Sequence, residues 1–151
     1  MSIRVAMTDA EILSCHPVMS HLRPRYSSSE FLSRIRGQQD EGYELAMLVD
    51  QDRVVAVAGY RVGHNLAWGK YLYVDDLVTD ASRRSEGHGE RLMDWLVSTA
   101  GTHGCNELHL DSGVQRYGAH RFYLRYGMDI TSHHFRVALP ADGDDRAVPD
   151  A

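Results

Sequence analysis

Apolar and polar positions change their period several times along the chain, and each change marks an element. Ile3 to Ala6 is a short apolar run that predicts a strand. Thr8 and Asp9 offer a helix N-cap with Glu11 placed in the first turn, and Pro17 limits that helix or begins another. A second helix is predicted in SSSEFLSRIRGQQ, where Ser28 or Ser29 can cap and Phe31, Leu32 and Ile35 share one face. Tyr43–Val49 and Val54–Val62 are rich in apolar and β-branched residues, and Asp50, Gln51 and Asp52 between them predict an antiparallel hairpin. After a loop in GHNLAWG comes a long strand, Tyr71–Thr79, which carries two adjacent carboxylates, Asp75 and Asp76. The polar segment RRSEGHG leads into a helix from Glu90 to Ala100, with Leu92, Trp95 and Leu96 on its apolar face and Gly101 and Gly104 at its end. Glu107–Leu110 alternates as a short strand. Gln115–Tyr126 is helical with Ala119, Phe122 and Tyr126 on one side, Gly127 stands where a left-handed cap belongs, and Met128–Leu139 reads as a last strand.

The resulting order is β, α, α, β, β, β, α, β, α, β, without repeat or internal linker. It predicts one mixed α/β (α+β) sheet with about four helices packed on it. A chain of 151 residues fits one domain. That domain is read over 1–139, and the acidic tail 140–151 is read as disordered. No apolar run approaches the ~20 residues of a membrane span, and the N-terminus lacks the basic and apolar regions of a secretory signal. Cys15 and Cys105 follow no metal-ligand spacing, so reduced thiols in a cytoplasmic protein are the simplest reading and no metal is expected. The net charge of −5 argues against binding nucleic-acid phosphates. It favours a cationic substrate only weakly, since solubility explains it as well.

The chemistry concentrates in Arg84-Ser85-Glu86-Gly87-His88-Gly89, between a strand and an amphipathic helix. The first turn of a helix has amides without intrahelical partners and sits at the positive end of the macrodipole. Gly87 and Gly89 allow close approach to the backbone, and Arg83 and Arg84 add charge, so a pyrophosphate suits the site. It is neither a P-loop, lacking the lysine and hydroxyl residue, nor the three-glycine dinucleotide fingerprint.

A strand, then arginine-x-x-glycine-x-glycine, then a helix resembles motif A of the GNAT superfamily of N-acetyltransferases. Downstream, Ala119-His-Arg-Phe122-Tyr123 followed by Gly127-Met128 is similar to the family's motif B. The two motifs in this order, with the element order, carry the resemblance from Ile3 to about Leu139. It implies a GNAT-like fold, a mixed and mostly antiparallel sheet split where pantetheine inserts. It also implies acetyl-coenzyme A as co-substrate, its pyrophosphate held by the amides of Arg84, Ser85, Glu86, Gly87, His88, Gly89 and Glu90. The backbone of Leu77, Val78 and Thr79 would bond pantetheine, and Tyr123 would give a proton or hydrogen bond to the departing thiolate. Three positions depart from the pattern. Ala81 replaces a usual proline, Ser85 a usual glycine, and Arg116 an asparagine that precedes motif B. The last either alters a pantetheine contact or lets Arg116 reach a cofactor phosphate.

Amine acetylation needs a neutral nucleophile, a polarised carbonyl and a proton for the leaving sulfur. Backbone donation from the central strand, with Val78 the natural candidate, would polarise the carbonyl. Tyr123 is the expected acid, with a plain core aromatic as the alternative. By alternation only one of Asp75 and Asp76 faces a given cleft, so no dyad is expected. In the resemblance Asp75 matches the acidic position that acts as base or orders a water, whereas a salt bridge is the structural reading for either. His133 and His134 are rival bases, each more simply a surface histidine. Trp68, Tyr71 and Tyr73 would line a substrate wall or merely pack.

The function expected is acetyl transfer to a primary amine by direct attack in a ternary complex. The acceptor is read as a cationic small molecule, with no nucleic acid and no membrane involved. An exposed edge of the last strand would support a homodimer. A protein lysine or N-terminus as acceptor, a non-catalytic acyl-coenzyme A sensor, and an unrelated nucleotide-binding module remain open at this point.

Overall fold

A computed structural model describes residues 1–140. The elements are β1 (Ser2–Val5), α1 (Asp9–Met19), α2 (Ser28–Gln39), β2 (Glu44–Asp50), β3 (Arg53–Asn65), β4 (Gly69–Thr79), a 3-10 turn (Ala81–Arg83), α3 (His88–Thr102), β5 (Glu107–Leu110) and α4 (Tyr117–Tyr126). The sheet runs β1-β2-β3-β4-β5. Its first three pairings are antiparallel, and β4 with β5 is parallel, so α3 is the crossover between them. This is the mixed, mostly antiparallel sheet with helices that the sequence predicts.

Local chemistry accounts for the elements. Thr8 Oγ1 accepts from the Glu11 amide at 3.1 Å while Glu11 accepts from the Thr8 amide at 3.3 Å, a reciprocal capping box. The β2–β3 hairpin turns on two residues, Gln51 and Asp52, both with positive φ, as the right-handed twist of the strands demands. One sheet face is covered by α1 and α2. There Ile12, Cys15, Phe31 and Ile35 pack against Leu45, Met47, Val57 and Val78. The other face carries α3, whose Leu92, Met93 and Leu96 are fully buried and whose Trp95 meets Tyr60 edge-on at 5.9 Å. Cys15 is sealed in the first core, its Sγ against the Glu11 carbonyl at 3.4 Å, and burial pushes its thiol up to about 12.

Several boundaries move. Pro17 lies inside α1, two residues before its C-terminal end, rather than limiting it, and Ser27 rather than Ser28 or Ser29 caps α2. The strands extend into the expected loop, leaving Leu66, Ala67 and Trp68 between β3 and β4. The expected last strand is a larger correction, since 128–139 holds neither helix nor strand. Ile130, Phe135, Val137 and Leu139 are 72–90% exposed. The polar run Thr131-Ser132-His133-His134 breaks the alternation that a half-buried strand needs. The strand edge that would have supported a homodimer is therefore absent there.

The chain forms two compact units, Met1–Leu110 with the whole sheet, and a second from Asp111 that holds α4. The tail expected to be disordered lies, past residue 140, outside the described residues. Among the described residues no helix is long and apolar enough to cross a membrane.

Candidate active site

The centre of the site is a fault in the β3–β4 ladder. Val57 pairs with Val78 and Gly59 with Asp76, but Tyr60 pairs with Val74, so Asp75 is an extra residue in β4. This is a β-bulge. Val78 and Val57 lie in the core under α1 and α2, whereas Tyr60, opposite Val74, meets α3. The bulge thus switches the facing of β4, and both carboxylates come to the α1/α2 side. The expectation that strict alternation separates Asp75 from Asp76 is corrected by this inserted residue.

A network of cations and a phenol holds the pair. Asp76 accepts from Tyr43 Oη at 2.9 Å and from Arg23 Nε at 2.9 Å. Asp75 accepts a two-pronged clasp from Arg61, Nε at 3.1 Å and Nη2 at 3.0 Å. Arg61 also donates to Gln38 of α2, and Arg23 donates to the Asp75 carbonyl at 3.3 Å. Tyr43 crosses β3 so closely that a Cβ on Gly59 would lie 1.8 Å from its hydroxyl. Burial, then the neighbouring Asp76, raises the Tyr43 phenol well above its usual range. Burial also raises Asp75, against the opposing pull of Arg61. Arg23, Tyr43, Gly59 and Arg61 drew no notice in the sequence, and only the pairing register exposes their roles.

Immediately beyond the bulge β4 loses its β5 partner. The parallel β4–β5 pairing runs from Tyr71–Glu107 to Val74–Leu110 and stops, while β4 continues to Thr79. Along the edge that β5 leaves unpaired, the backbone groups of Leu77 and Thr79 are turned toward an extended ligand, whereas Val78 falls in a hydrogen-bonded pair with Val57 of β3, in register with the Asp80 amide on the Val55 carbonyl, so the expected contact of its backbone is corrected.

β4 then feeds the loop. Asp80 accepts from the Ser82 amide at 2.9 Å and closes the 3-10 turn. Ser85 has φ 68° and Gly87 φ 80°, both left-handed, and α3 begins at His88. Its N-cap, Gly87, has no side chain to bond the first amides, so they remain available to an anion. Arg83 does not add the free charge expected of it. It is bonded to Asp50 at 2.7 Å and to Glu86, whose carboxylate also meets His88 Nε2 at 3.0 Å. Arg83 is the first cause that holds the Asp50 and Glu86 carboxyls below their usual range. His88 is 3% exposed and braces the turn from inside, whereas Arg84 is exposed. For Glu86 and His88, this leaves their backbone amides rather than their side chains for a cofactor.

In the second unit, Arg116 precedes α4 and Gly127 ends it with φ 105°. The Met128 amide bonds the Tyr123 carbonyl at 3.0 Å, and His120 Nε2 meets the Gly113 carbonyl at 2.7 Å. Burial raises the Tyr123 phenol, while Arg116, hydrogen-bonded to it, pulls the other way. Arg116 is thus a partner of the expected acid. His134 stands 3.5 Å from Asp111, and both are exposed.

The Acetyltransferase (GNAT) family model matches residues 10–128 and so spans both units. The uncharacterized N-acetyltransferase YhdJ of Bacillus subtilis (strain 168) is 36% identical over 123 residues, covering 80% of this chain and 87% of that protein. Among solved structures, aminoglycoside N-acetyltransferase AAC(6')-Iy in complex with coenzyme A superposes with a TM-score of 0.80 at 13% identity, covering 90% of this chain and 92% of the other. A ribosomal-protein-alanine N-acetyltransferase from Brucella melitensis biovar Abortus 2308 gives 0.75 at 16% identity, covering 91% and 100%.

Proposed function

The chain belongs to the GNAT acetyltransferase family, with acetyl-coenzyme A as co-substrate, and we propose that it acetylates the primary amine of a small cationic molecule by direct attack in a ternary complex. In this reading 1–139 works as one acyltransferase domain in the cytoplasm, where free Cys15 and Cys105 are at ease.

One observation carries the reading. A single strand presents, in order, a carboxylate on its bulge, an unpaired backbone edge at Leu77–Thr79, and an uncapped helix start at Gly87. That sequence of groups matches an amine, a pantetheine arm and a pyrophosphate laid end to end. Arg84 to Glu90 hold the pyrophosphate through backbone amides, and Leu77 and Thr79 bond the pantetheine. Asp75 takes a proton from the acceptor ammonium, directly or through water, and its raised proton affinity suits that task better than an ordinary aspartate. The amine nitrogen then bonds the thioester carbon while an amide on the open edge of β4, that of Leu77 in place of Val78, stabilises the oxygen. The carbon–sulfur bond breaks, Tyr123 protonates the sulfur, and the second proton shed by the new amide nitrogen passes through water to restore the phenol. Arg116 assists by favouring the phenolate left behind.

The test is an amine panel with acetyl-coenzyme A, read by free-thiol release. Polyamines or aminoglycosides should release coenzyme A faster than neutral amino acids or peptides. No release across the panel would remove the enzymatic reading, and calorimetry with coenzyme A, ATP and NAD would then separate an acyl-coenzyme A sensor from a nucleotide module.

A further inference from the structure

The α1/α2 face of the sheet carries a second group of side chains beyond the catalytic cluster. Tyr71 pairs with Glu107 and Tyr73 with His109, so these four share a face, opposite to Leu72, Val74, Leu108 and Leu110. Arg61 pairs with Tyr73 and therefore lies on that face too. Trp68 folds over it from the β3–β4 turn, its amide tied to Asn65 Oδ1 at 2.7 Å. The indole stacks flat on the His109 ring, with centroids 3.5 Å apart and planes at 10°. Tyr71 meets the indole edge-on at 5.1 Å and 88°. Tyr71 in turn lies across Gly63, where a Cβ would stand 2.7 Å from its hydroxyl. His109 Nε2 is buried without a hydrogen-bond partner, 3.7 Å from the half-exposed carboxylate of Glu107.

This aromatic stack belongs to neither helix-covered core. It is ordered by a glycine, a turn hydrogen bond and two ring contacts, and a carboxylate stands at its rim. Aromatic faces next to a carboxylate are the chemistry that holds an organic ammonium. Tyr71 is four positions from Asp75 along β4, which is about 13 Å at the rise of a strand. One face of one strand thus offers two places for a cation, separated by the length of a small extended molecule.

We propose that Trp68, Tyr71, His109 and Glu107 form a distal acceptor subsite for a second ammonium group, so that the preferred acceptor is an elongated di- or polyamine. The inference rests on the acetyl-transfer reading for its kinetic test but not for its binding test. With acetyl-coenzyme A, α,ω-diamines of increasing length should show falling KM until the nitrogens span about 13 Å. The longest should exceed its monoamine counterpart, identical but for a methyl in place of the far amine, about tenfold in kcat/KM. Trp68→Ala and Glu107→Gln should each collapse that ratio, whereas Trp68→Phe keeps most of it. Binding is read separately in Trp95→Phe, where Trp68 is the remaining tryptophan. The long diamine alone should change its fluorescence at concentrations where the monoamine does not. Equal kcat/KM for diamine and monoamine, or equal fluorescence titrations, overturns the subsite. Unequal titrations without turnover on any amine keep the subsite and remove the acetyl-transfer reading.

Discussion

The two ends of β4 are built from the same materials and leave opposite things exposed. At the bulge, Arg23 and Arg61 meet Asp76 and Asp75, and what the arrangement delivers is a pair of oriented carboxylates. At the loop, Arg83 meets Asp50 and Glu86, and the side chains neutralise one another so that backbone amides are left facing outward. The bulge is fixed by partners distant in sequence, from the α1–α2 connection, α2 and β3. The loop is fixed mainly by its own residues and one hairpin carboxylate, and it holds a serine in a conformation that suits glycine. Proton transfer needs a particular oxygen in a particular place, and a pyrophosphate needs only a set of amides. The difference in construction follows that difference in demand.

Breaking the bulge side should cost most. Gly59→Ala forces a Cβ into Tyr43 and should destabilise by about 3 kcal/mol or more in chemical denaturation. A small change would mean that Tyr43 has room to leave β3. Asp75→Asn should lower kcat/KM about 100-fold and erase its acidic limb, which in the parent lies above the ordinary aspartate value of 3.8. A retained limb would move the base elsewhere. Tyr43→Phe, which strips one donor from Asp76, should cost about 1–2 kcal/mol of stability. On the loop side Ser85→Gly should gain up to about 1 kcal/mol, because it removes a side chain from a left-handed residue.

The smallest effect separates the two ends by sign. Asp75 binds its proton more tightly folded than unfolded, so it makes stability fall as pH rises from below 3.8 through its folded value. Asp50 and Glu86 bind theirs less tightly folded. Their contribution is present above the unfolded values of 3.8 and 4.5 and is lost as pH falls through the folded ones. Denaturation between pH 3 and 6 should therefore show Asp75→Asn steepening the acid loss and Glu86→Gln flattening it.

Most of the sheet order and both motifs were legible in the residues, because period and glycine placement are local signals. Ser85 was legible as a departure, and its positive φ shows why glycine is usual there. The facing of Asp75 was not legible. It depends on which residue of β3 lies opposite, and Gly59 declares nothing until Tyr43 is seen across it. The fate of Arg83 was hidden for the same reason, since Asp50 lies 33 positions away in the chain. The segment after Gly127 misled because Phe135, Val137 and Leu139 alternate as a strand does, while four polar residues precede them.

The burial of Cys15 has a practical side. Coenzyme A release is counted with reagents that attack thiolates. With its thiol pushed up to about 12 and its sulfur packed under α1, Cys15 stays silent at assay pH. The chain has two cysteines, so the protein's own signal reduces to Cys105 alone. One cysteine-to-serine exchange there should give an enzyme whose every detected thiol reports a turnover.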